Sequence, residues 1–118
     1  MKGYIDEFRQ ARLELKVIGE ASTVDIPFVL DTGFDGALCL PVGIAVPLGL
    51  RLKGVQDIEY ADGVVKRELV FLGRVIIDGQ EVEVDIFLTD SKDALMGTQL
   101  LANRVAILDF RHQTVEIR

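Results

Sequence analysis

Most of the sequence alternates between apolar and polar residues with a period of two, which is the period of a strand with one buried face. In ARLELKVIG, for example, apolar side chains recur at Leu13, Leu15 and Val17. Asp78-Gly79 separates two further runs of this kind, GRVIID and QEVEVDIFL, and an Asp-Gly pair in that position favours a tight hairpin turn. The pattern predicts a mainly β, largely antiparallel domain.

The same pattern predicts where the chain turns and where short helices interrupt the sheet. Further hairpin turns are expected at Gly19–Ser22, at Asp62-Gly63 within YADGVV and at Arg111–Gln113. PVGIAVPLGL favours a helix that has Pro41 at its first position and that Pro47 keeps short. GTQLLANR favours one or two helical turns capped by Thr98.

Length, charge and hydropathy limit the classes of function. With 118 residues, the chain suits a single domain, residues 1–118, with one core. Its net charge of −6 argues against nucleic acid as a partner, because phosphate binding needs a basic face. Its apolar fraction of 49% indicates either a dense core or apolar surface buried against another subunit.

Cysteine content and the lack of long apolar runs bear on where the protein works. Cys39 is the only cysteine, so no disulfide can form within the chain, which suits a reducing compartment. The opening MKGYIDEFRQ lacks the apolar centre of a signal peptide. No run approaches the roughly 18 apolar residues of a membrane span. We therefore expect a cytoplasmic protein without a membrane partner.

An internal repeat with an offset of 60 residues supports the β interpretation. The offset relates Gly19 to Gly79 and Val24-Asp25-Ile26 to Val84-Asp85-Ile86. VDIPFVLDTG in the first half thus corresponds to VDIFLTD and ALMG in the second. Alternating patterns also recur by chance in β proteins, so a duplicated half and a coincidence both remain open.

The residues with the most specific chemistry lie in FVLDTGFDGALCLP, residues 28–41, where Asp31-Thr32-Gly33 interrupts an apolar run. A carboxylate among buried residues is costly unless it has a partner. Asp-Thr-Gly between apolar runs resembles the active-site loop of the retropepsin-like aspartic proteases. ALMGTQLL in the second half is similar to that family's apolar-apolar-Gly motif and the helix after it, and YADGVV lies where the family has its flap hairpin.

This resemblance, over residues 11–118, implies a closed, barrel-like β fold and an aspartic endopeptidase. In such an enzyme two carboxylates share one proton, so that one activates a water and the other donates to the scissile carbonyl. Because the chain has a single Asp-Thr-Gly, the expected partner of Asp31 is Asp31 of a second copy in a homodimer. The expected substrate is a peptide or protein, and no metal or organic cofactor is expected.

The resemblance also assigns roles around Asp31. Thr32 is expected to bond across to the loop of the second copy, and Gly33 to allow a tight turn and a close approach of substrate. The expected substrate-binding residues are Phe34 and Asp35 in the loop, Tyr60, Ala61, Asp62 and Gly63 in the flap, and Met96 and Gly97 in the second-half motif.

Two departures from the family's pattern leave an alternative open. Phe34 stands where the family usually has Ala or Ser. Asp35 lacks the Arg that viral members place after the second-half glycine, since Thr98 and Gln99 follow Gly97. The alternative is a catalytically silent module of the same fold that binds peptides or dimerises.

Other notable residues have simpler interpretations. Asp31-Thr32-Gly33 also suits an ordinary turn at the end of a strand. Asp25 and Asp85 are expected on solvent faces, and His112 in an exposed turn with no Ser or Cys nucleophile motif to serve. Cys39 is expected in the core. With one His and one Cys, a zinc site is not expected.

Overall fold

A computed structural model describes all 118 residues, Met1–Arg118. It contains ten strands, one α-helix and one 3-10 helix. The strands are β1 (Lys2–Ile5), β2 (Ala11–Ile18), β3 (Thr23–Leu30), β4 (Leu38–Pro41), β5 (Arg51–Glu59), β6 (Val65–Ile77), β7 (Gln80–Thr89), β8 (Leu95–Met96), β9 (Ala106–Asp109) and β10 (Thr114–Ile117). The α-helix, α1, spans Val42–Leu48, and the 3-10 helix spans Thr98–Leu101.

The strand pairings form a closed circuit. β6, β7, β4, β8, β3 and β2 are hydrogen-bonded in that order, and β2 pairs in turn with β6. The expected mainly β class is confirmed. β5 extends the sheet beyond β6, while β1, β10 and β9 extend it beyond β2. β9 is the last strand on its side, so one of its edges has no partner within the chain.

The two halves of the chain exchange strands. The β2–β3 hairpin and the β6–β7 hairpin lie at the 60-residue offset of the sequence repeat. β4 follows the first hairpin and runs parallel to β7, with Cys39 opposite Phe87. β8 follows the second hairpin and runs parallel to β3, with Leu30 opposite Met96. This reciprocal crossing is the arrangement expected of two related halves, and it brings the loop after β3 next to the segment after β8.

The core is apolar throughout. Leu13, Leu15 and Val17 are buried on the inner face of β2, and Phe28 of β3 and Ile86 of β7 belong to the same buried cluster. No polar or charged residue is buried with them. The alternation that predicted the strands is therefore the alternation between side chains that face the core and side chains that face solvent.

The helix ends differ in detail from the predictions. Pro41 is the N-cap of α1 and not its first residue, because its φ of −56° and ψ of 139° are extended. Pro47 lies in the last turn, and Gly49 ends the helix with a left-handed φ of 68°. Gly97 is the N-cap of the 3-10 helix, so Thr98 does not cap it.

The Asp78-Gly79 hairpin prediction is confirmed. Both residues have positive φ, 51° and 76°, as a two-residue type I′ turn requires. Ile77 pairs with Gln80 on either side of the turn. Elsewhere, no helix has the length and apolar character needed to span a membrane.

Leu40 and Val46 provide a matched test of the core. Leu40 on β4 is fully buried, whereas Val46 on α1 is 70% exposed. Leu40→Ala should lower the free energy of unfolding by about 2–5 kcal/mol, because it leaves a cavity in the sheet. Val46→Ala should change it by about 0.5 kcal/mol or less. Urea denaturation followed by circular dichroism measures both values, and equal losses would contradict this assignment of the core.

Candidate active site

Asp31 lies in a tight turn directly after β3. Its Oδ1 accepts a hydrogen bond from the N–H of Gly33 at 2.9 Å, and its carbonyl oxygen accepts one from the N–H of Phe34 at 3.2 Å. Its own N–H donates to the carbonyl oxygen of Met96 at 3.0 Å. The side chain is half-buried, and no Lys, Arg or His of the chain forms an ion pair with it. The loop thus holds a carboxylate whose charge is not compensated within the chain.

The second half of the chain holds this loop through backbone contacts. Gly97 donates to the carbonyl oxygen of Ala37 at 2.8 Å, Thr98 to that of Phe34 at 2.9 Å, and Gln99 to that of Gly36 at 3.2 Å. These bonds satisfy N–H groups around the start of the 3-10 helix, which have no partners within the helix. They also fix the carbonyl groups of the loop that carries Asp31.

Gly97 has to be a glycine because the two segments lie so close together. A Cβ atom at this position would overlap the carbonyl oxygen of Gly36 and would lie 2.6 Å from the carbonyl oxygen of Phe34. Both are backbone atoms, so neither can move aside without displacing the loop. The apolar-apolar-Gly motif therefore has a steric cause in this structure.

Arg12 braces the same region from β2. Its guanidinium donates to Asp6 at 2.8 Å, to Asp93 at 3.1 Å and to the carbonyl oxygen of Pro27 at 3.0 Å. The bond from Arg12 lowers the pKa of the Asp6 carboxyl below its ordinary value. Because Asp93 lies just before β8 and Pro27 lies in β3, this network ties together the two strands that lead into the site.

A cleft of about 770 Å³ opens beside Asp31. It lies between the Asp31 loop, strands β4, β7 and β8, and the hairpin formed by β5 and β6. Its lining residues are Asp31, Gly33, Phe34, Asp35, Gly36, Cys39, Gln56, Asp57, Ile58, Glu59, Tyr60, Ala61, Glu68, Asp85, Phe87, Leu88, Thr89, Leu95 and Gln99. This volume is within the range of protein ligand sites.

The structure brings part of the predicted set to the cleft. Asp31, Gly33, Phe34, Asp35, Tyr60 and Ala61 line it. Asp35 is exposed and, as its sequence context indicates, has no Arg partner.

Five other predicted residues lie outside the cleft lining. Thr32 is exposed. Asp62 and Gly63 form the hairpin tip, where Asp62 accepts from the N–H of Val64 at 3.0 Å. Met96 is fully buried in the core, and Gly97 lies behind the loop and supports it. In the single chain, these two residues position Asp31 and do not face the cleft.

Cys39 and Asp85 correct two expectations. Cys39 is half-buried at the cleft floor and not in the core, because its strand β4 forms that floor. Burial, together with the nearby charge of Glu68, raises the pKa of the Cys39 thiol to about 11, so the nucleophilic thiolate is scarce at neutral pH. Asp85 is half-buried at the cleft and not on a solvent face, and it is bound to Lys53 at 2.8 Å.

Sequence reasoning missed Phe87 and Glu68. The rings of Phe34 and Phe87 meet edge to face with centroids 6.2 Å apart, and Glu68 accepts from the hydroxyl of Tyr60 at 2.8 Å. The parallel pairing of β4 with β7, which places Phe87 here, leaves no local signal in the sequence. Glu68 could have been predicted from the sequence, because it lies on β6, which pairs with the strand that precedes the predicted flap tip. No group of three or more His, Cys, Asp or Glu residues is arranged to hold a metal ion.

Comparison with known proteins identifies the fold. No family model and no curated protein sequence matches the chain. Among solved structures, a retropepsin-like aspartic protease from Rickettsia conorii is similar, with a TM-score of 0.68, 20% identity and coverage of 98% of this chain and 86% of that one. EIAV protease, complexed with the inhibitor HBY-793, has a TM-score of 0.62, 15% identity and coverage of 81% and 88%.

A eukaryotic domain has a weaker likeness. The retroviral protease-like domain of Ddi1 from Leishmania major has a TM-score of 0.52, 16% identity and coverage of 90% of this chain and 87% of that one. The protein therefore has a retropepsin-like fold, as its sequence motifs indicate. At these identities the likeness establishes the fold and leaves the activity to be argued from the site.

Gly97→Ala tests the contact that supports the Asp31 loop. The added methyl group should lower the free energy of unfolding by about 1–3 kcal/mol, because it forces two backbone segments apart. Gly43→Ala on α1 is the matched control, since a Cβ there meets nothing within 4 Å. The control should be neutral or stabilising by up to about 1 kcal/mol. Thermal and urea denaturation measure both variants, and an unchanged stability for Gly97→Ala would contradict the close approach.

Proposed function

We propose that this protein is an aspartic endopeptidase whose catalytic pair consists of Asp31 and Asp31 of a second copy of the chain. The observation that carries the proposal is the position of Asp31 and its lack of a cationic partner. It is half-buried beside a large cleft, in a loop held by the other half of the fold, and it has no cationic partner. A carboxyl group without a cationic partner is free to act with a second carboxyl group, and two carboxyl groups that share a proton can supply both an acid and a base.

The chain's own second half does not supply that group. The segment that faces the Asp31 loop is Leu95-Met96-Gly97, whose side chains carry no acid. Asp35, the nearest acid in sequence, is exposed and follows the turn. A symmetric pair across a two-fold axis would bring two copies of the same loop together, since such an interface is self-complementary.

The proposed chemistry follows from two carboxylates that share one proton. Their mutual repulsion prevents both from ionising cheaply, so one stays protonated while the other is a base. The ionised carboxylate removes a proton from a water, whose oxygen attacks the scissile carbonyl carbon while the protonated carboxyl donates to the carbonyl oxygen. The carbon–nitrogen bond then breaks as the carboxyl that took the water's proton gives it to the leaving amine. The β5–β6 hairpin would close over the peptide and exclude bulk water. A cytoplasmic location belongs to the same proposal, supported by the free Cys39.

The free edge of β9 supports dimerisation. The side chains of Ile107 and Leu108 point to opposite faces of this strand, and they are 38% and 40% exposed. Their neighbours Val105 and Phe110 are 55% and 56% exposed. An unpaired edge flanked by apolar residues is a surface on which a second strand can pair. We propose that β9 of a second copy pairs there.

Asp31→Asn tests the catalytic role. The substitution should lower the rate of cleavage of a diverse peptide pool by about 10²- to 10⁴-fold or more, because an amide cannot act as the base. The dimer should stay folded, since Asn has nearly the same shape and removes a repulsion. Asp25→Asn is the matched control, because Asp25 lies on β3, the strand that leads into Asp31, is exposed and pairs only with Lys16.

Mass spectrometry of the products at acid and neutral pH gives the readout. Cuts made by wild type and Asp25→Asn but missing from Asp31→Asn support the proposal. Cuts shared by all three proteins come from a contaminant, and no cuts from any of them would favour a peptide-binding module.

Leu108→Lys tests the interface. The N–H and carbonyl groups of Leu108 face the free edge. Val105, just before β9, exchanges two backbone hydrogen bonds with Arg118, just after β10, and such bonding alternates along the paired strands. A charge at this edge should shift micromolar protein from dimer to monomer and reduce cleavage. Val46→Lys on α1 is the control, since Val46 is 70% exposed and lies outside the cleft and the β5–β6 hairpin. Sedimentation velocity measures the assembly, and a wild-type monomer would contradict the shared site.

A further inference from the structure

The charged residues that line the cleft are all acidic. Asp and Glu account for six of its nineteen lining residues, and Lys and Arg account for none. The whole chain has 19 acidic and 13 basic residues, so the cleft differs from the rest of the protein in the absence of cations. The six residues are Asp31, Asp35, Asp57, Glu59, Glu68 and Asp85.

Only two of the six carboxylates have a cation bound to them. Lys53 binds Asp85 at 2.8 Å, and Arg67 binds Asp57 at 3.2 Å. The other four form no ion pair within the chain. Lys66 is near, but its Nζ lies over the Tyr60 ring, 5.4 Å from the ring centroid, and makes no ion pair. The cleft therefore carries negative charge that the chain does not compensate.

The negative charge of Glu68 affects other residues of the cleft. Its hydrogen bond from the Tyr60 hydroxyl raises the pKa of Tyr60, and its charge adds to the effect of burial on the pKa of Cys39. Because Cys39 lies on the floor and Tyr60 on the hairpin, the charge of Glu68 acts on both sides of the cleft.

The floor of the cleft is apolar. Phe34 and Phe87 pack edge to face there, and Leu88 and Leu95 also line it. Lysine and arginine side chains combine an aliphatic stem, which packs on apolar surface, with a charged end that seeks a carboxylate. A peptide that carries such residues next to apolar ones matches both the floor and the walls.

We propose that the cleft selects cationic peptides, in which lysine or arginine flanks an apolar segment. This inference rests on the proposed function in one respect, because it takes the cleft beside Asp31 to be the substrate groove. It adds the class of substrate, which the catalytic chemistry of the Asp31 pair leaves open.

Binding can be measured apart from cleavage. The probes are three fluorescein-labelled peptide pools of equal length and equal apolar content, whose remaining variable positions are all lysine, all glutamine or all glutamate. Fluorescence anisotropy with Asp31→Asn protein, which should bind without cutting, gives Kd for each pool. We expect the lysine pool to bind most tightly and the glutamate pool most weakly. Raising the salt from about 0.05 M to about 0.5 M should shrink the difference, because salt screens exposed charges.

A second series assigns the preference to the cleft. In the Asp31→Asn background, Glu68→Gln and Glu59→Gln should each weaken binding of the lysine pool by about 2- to 5-fold, as expected for one partly exposed ion pair. Glu14→Gln is the matched control, since Glu14 is exposed on β2, lies outside the cleft and changes the net charge equally. It should leave the Kd unchanged.

The outcomes separate this inference from the proposed function. Equal Kd values for the three pools, no binding of any pool, or an equal effect of Glu14→Gln would overturn the cationic preference, even if wild type cleaves peptides. A lysine preference that depends on Glu68 and Glu59 supports the inference, even if wild type cleaves nothing. In that case the proposal of an aspartic endopeptidase would be wrong, and the protein would be a module that binds cationic peptides.

Discussion

The close approach of Gly97 to the carbonyl groups of Phe34 and Gly36 is the contact on which the rest of the site depends. It leaves no room for a side chain, and it allows three backbone hydrogen bonds to join the Asp31 loop to the start of the 3-10 helix. Turns after strands are commonly mobile because their backbone groups bond to water. Here the second half of the chain supplies those bonds, so the position of Asp31 is set by the fold.

That contact is possible because the two halves exchange strands. β4 leaves the first half to pair with β7, and β8 leaves the second half to pair with β3. The exchange closes the circuit of strands and places the loop after β3 beside the segment after β8. The Arg12 network strengthens the same junction, since it joins Asp93 to β3. The position of the Asp31 loop and the closure of the strand circuit thus depend on one set of contacts.

The sequence allowed the strands to be predicted more fully than the cleft. Alternation located β2 and the β6–β7 hairpin, because each of these strands has one face toward the core. Asp78-Gly79 located a turn, because few other residue pairs accept two positive φ angles. Family motifs singled out Asp31 and Gly97, but they assigned Gly97 to substrate binding, whereas in the structure it supports the Asp31 loop.

Pairing between distant strands could not be predicted in the same way. Cys39 was expected in the core and Asp85 in solvent, yet both line the cleft because β4 pairs with β7 there. The acidic character of the cleft also went unseen, since Asp35, Glu59, Glu68 and Asp85 are far apart in sequence. They come together only when the β5–β6 hairpin folds over the floor of the cleft.

The central proposal is that one active site needs Asp31 from two chains. It is tested most directly by refolding wild type with increasing amounts of Asp31→Asn at constant total protein, and measuring cleavage per wild-type chain. If the pair is shared, mixed dimers lack one acid, and activity per wild-type chain should fall in proportion to the wild-type fraction. Activity per wild-type chain that stays constant at every mixing ratio would show that each chain acts alone, and it would contradict the shared pair.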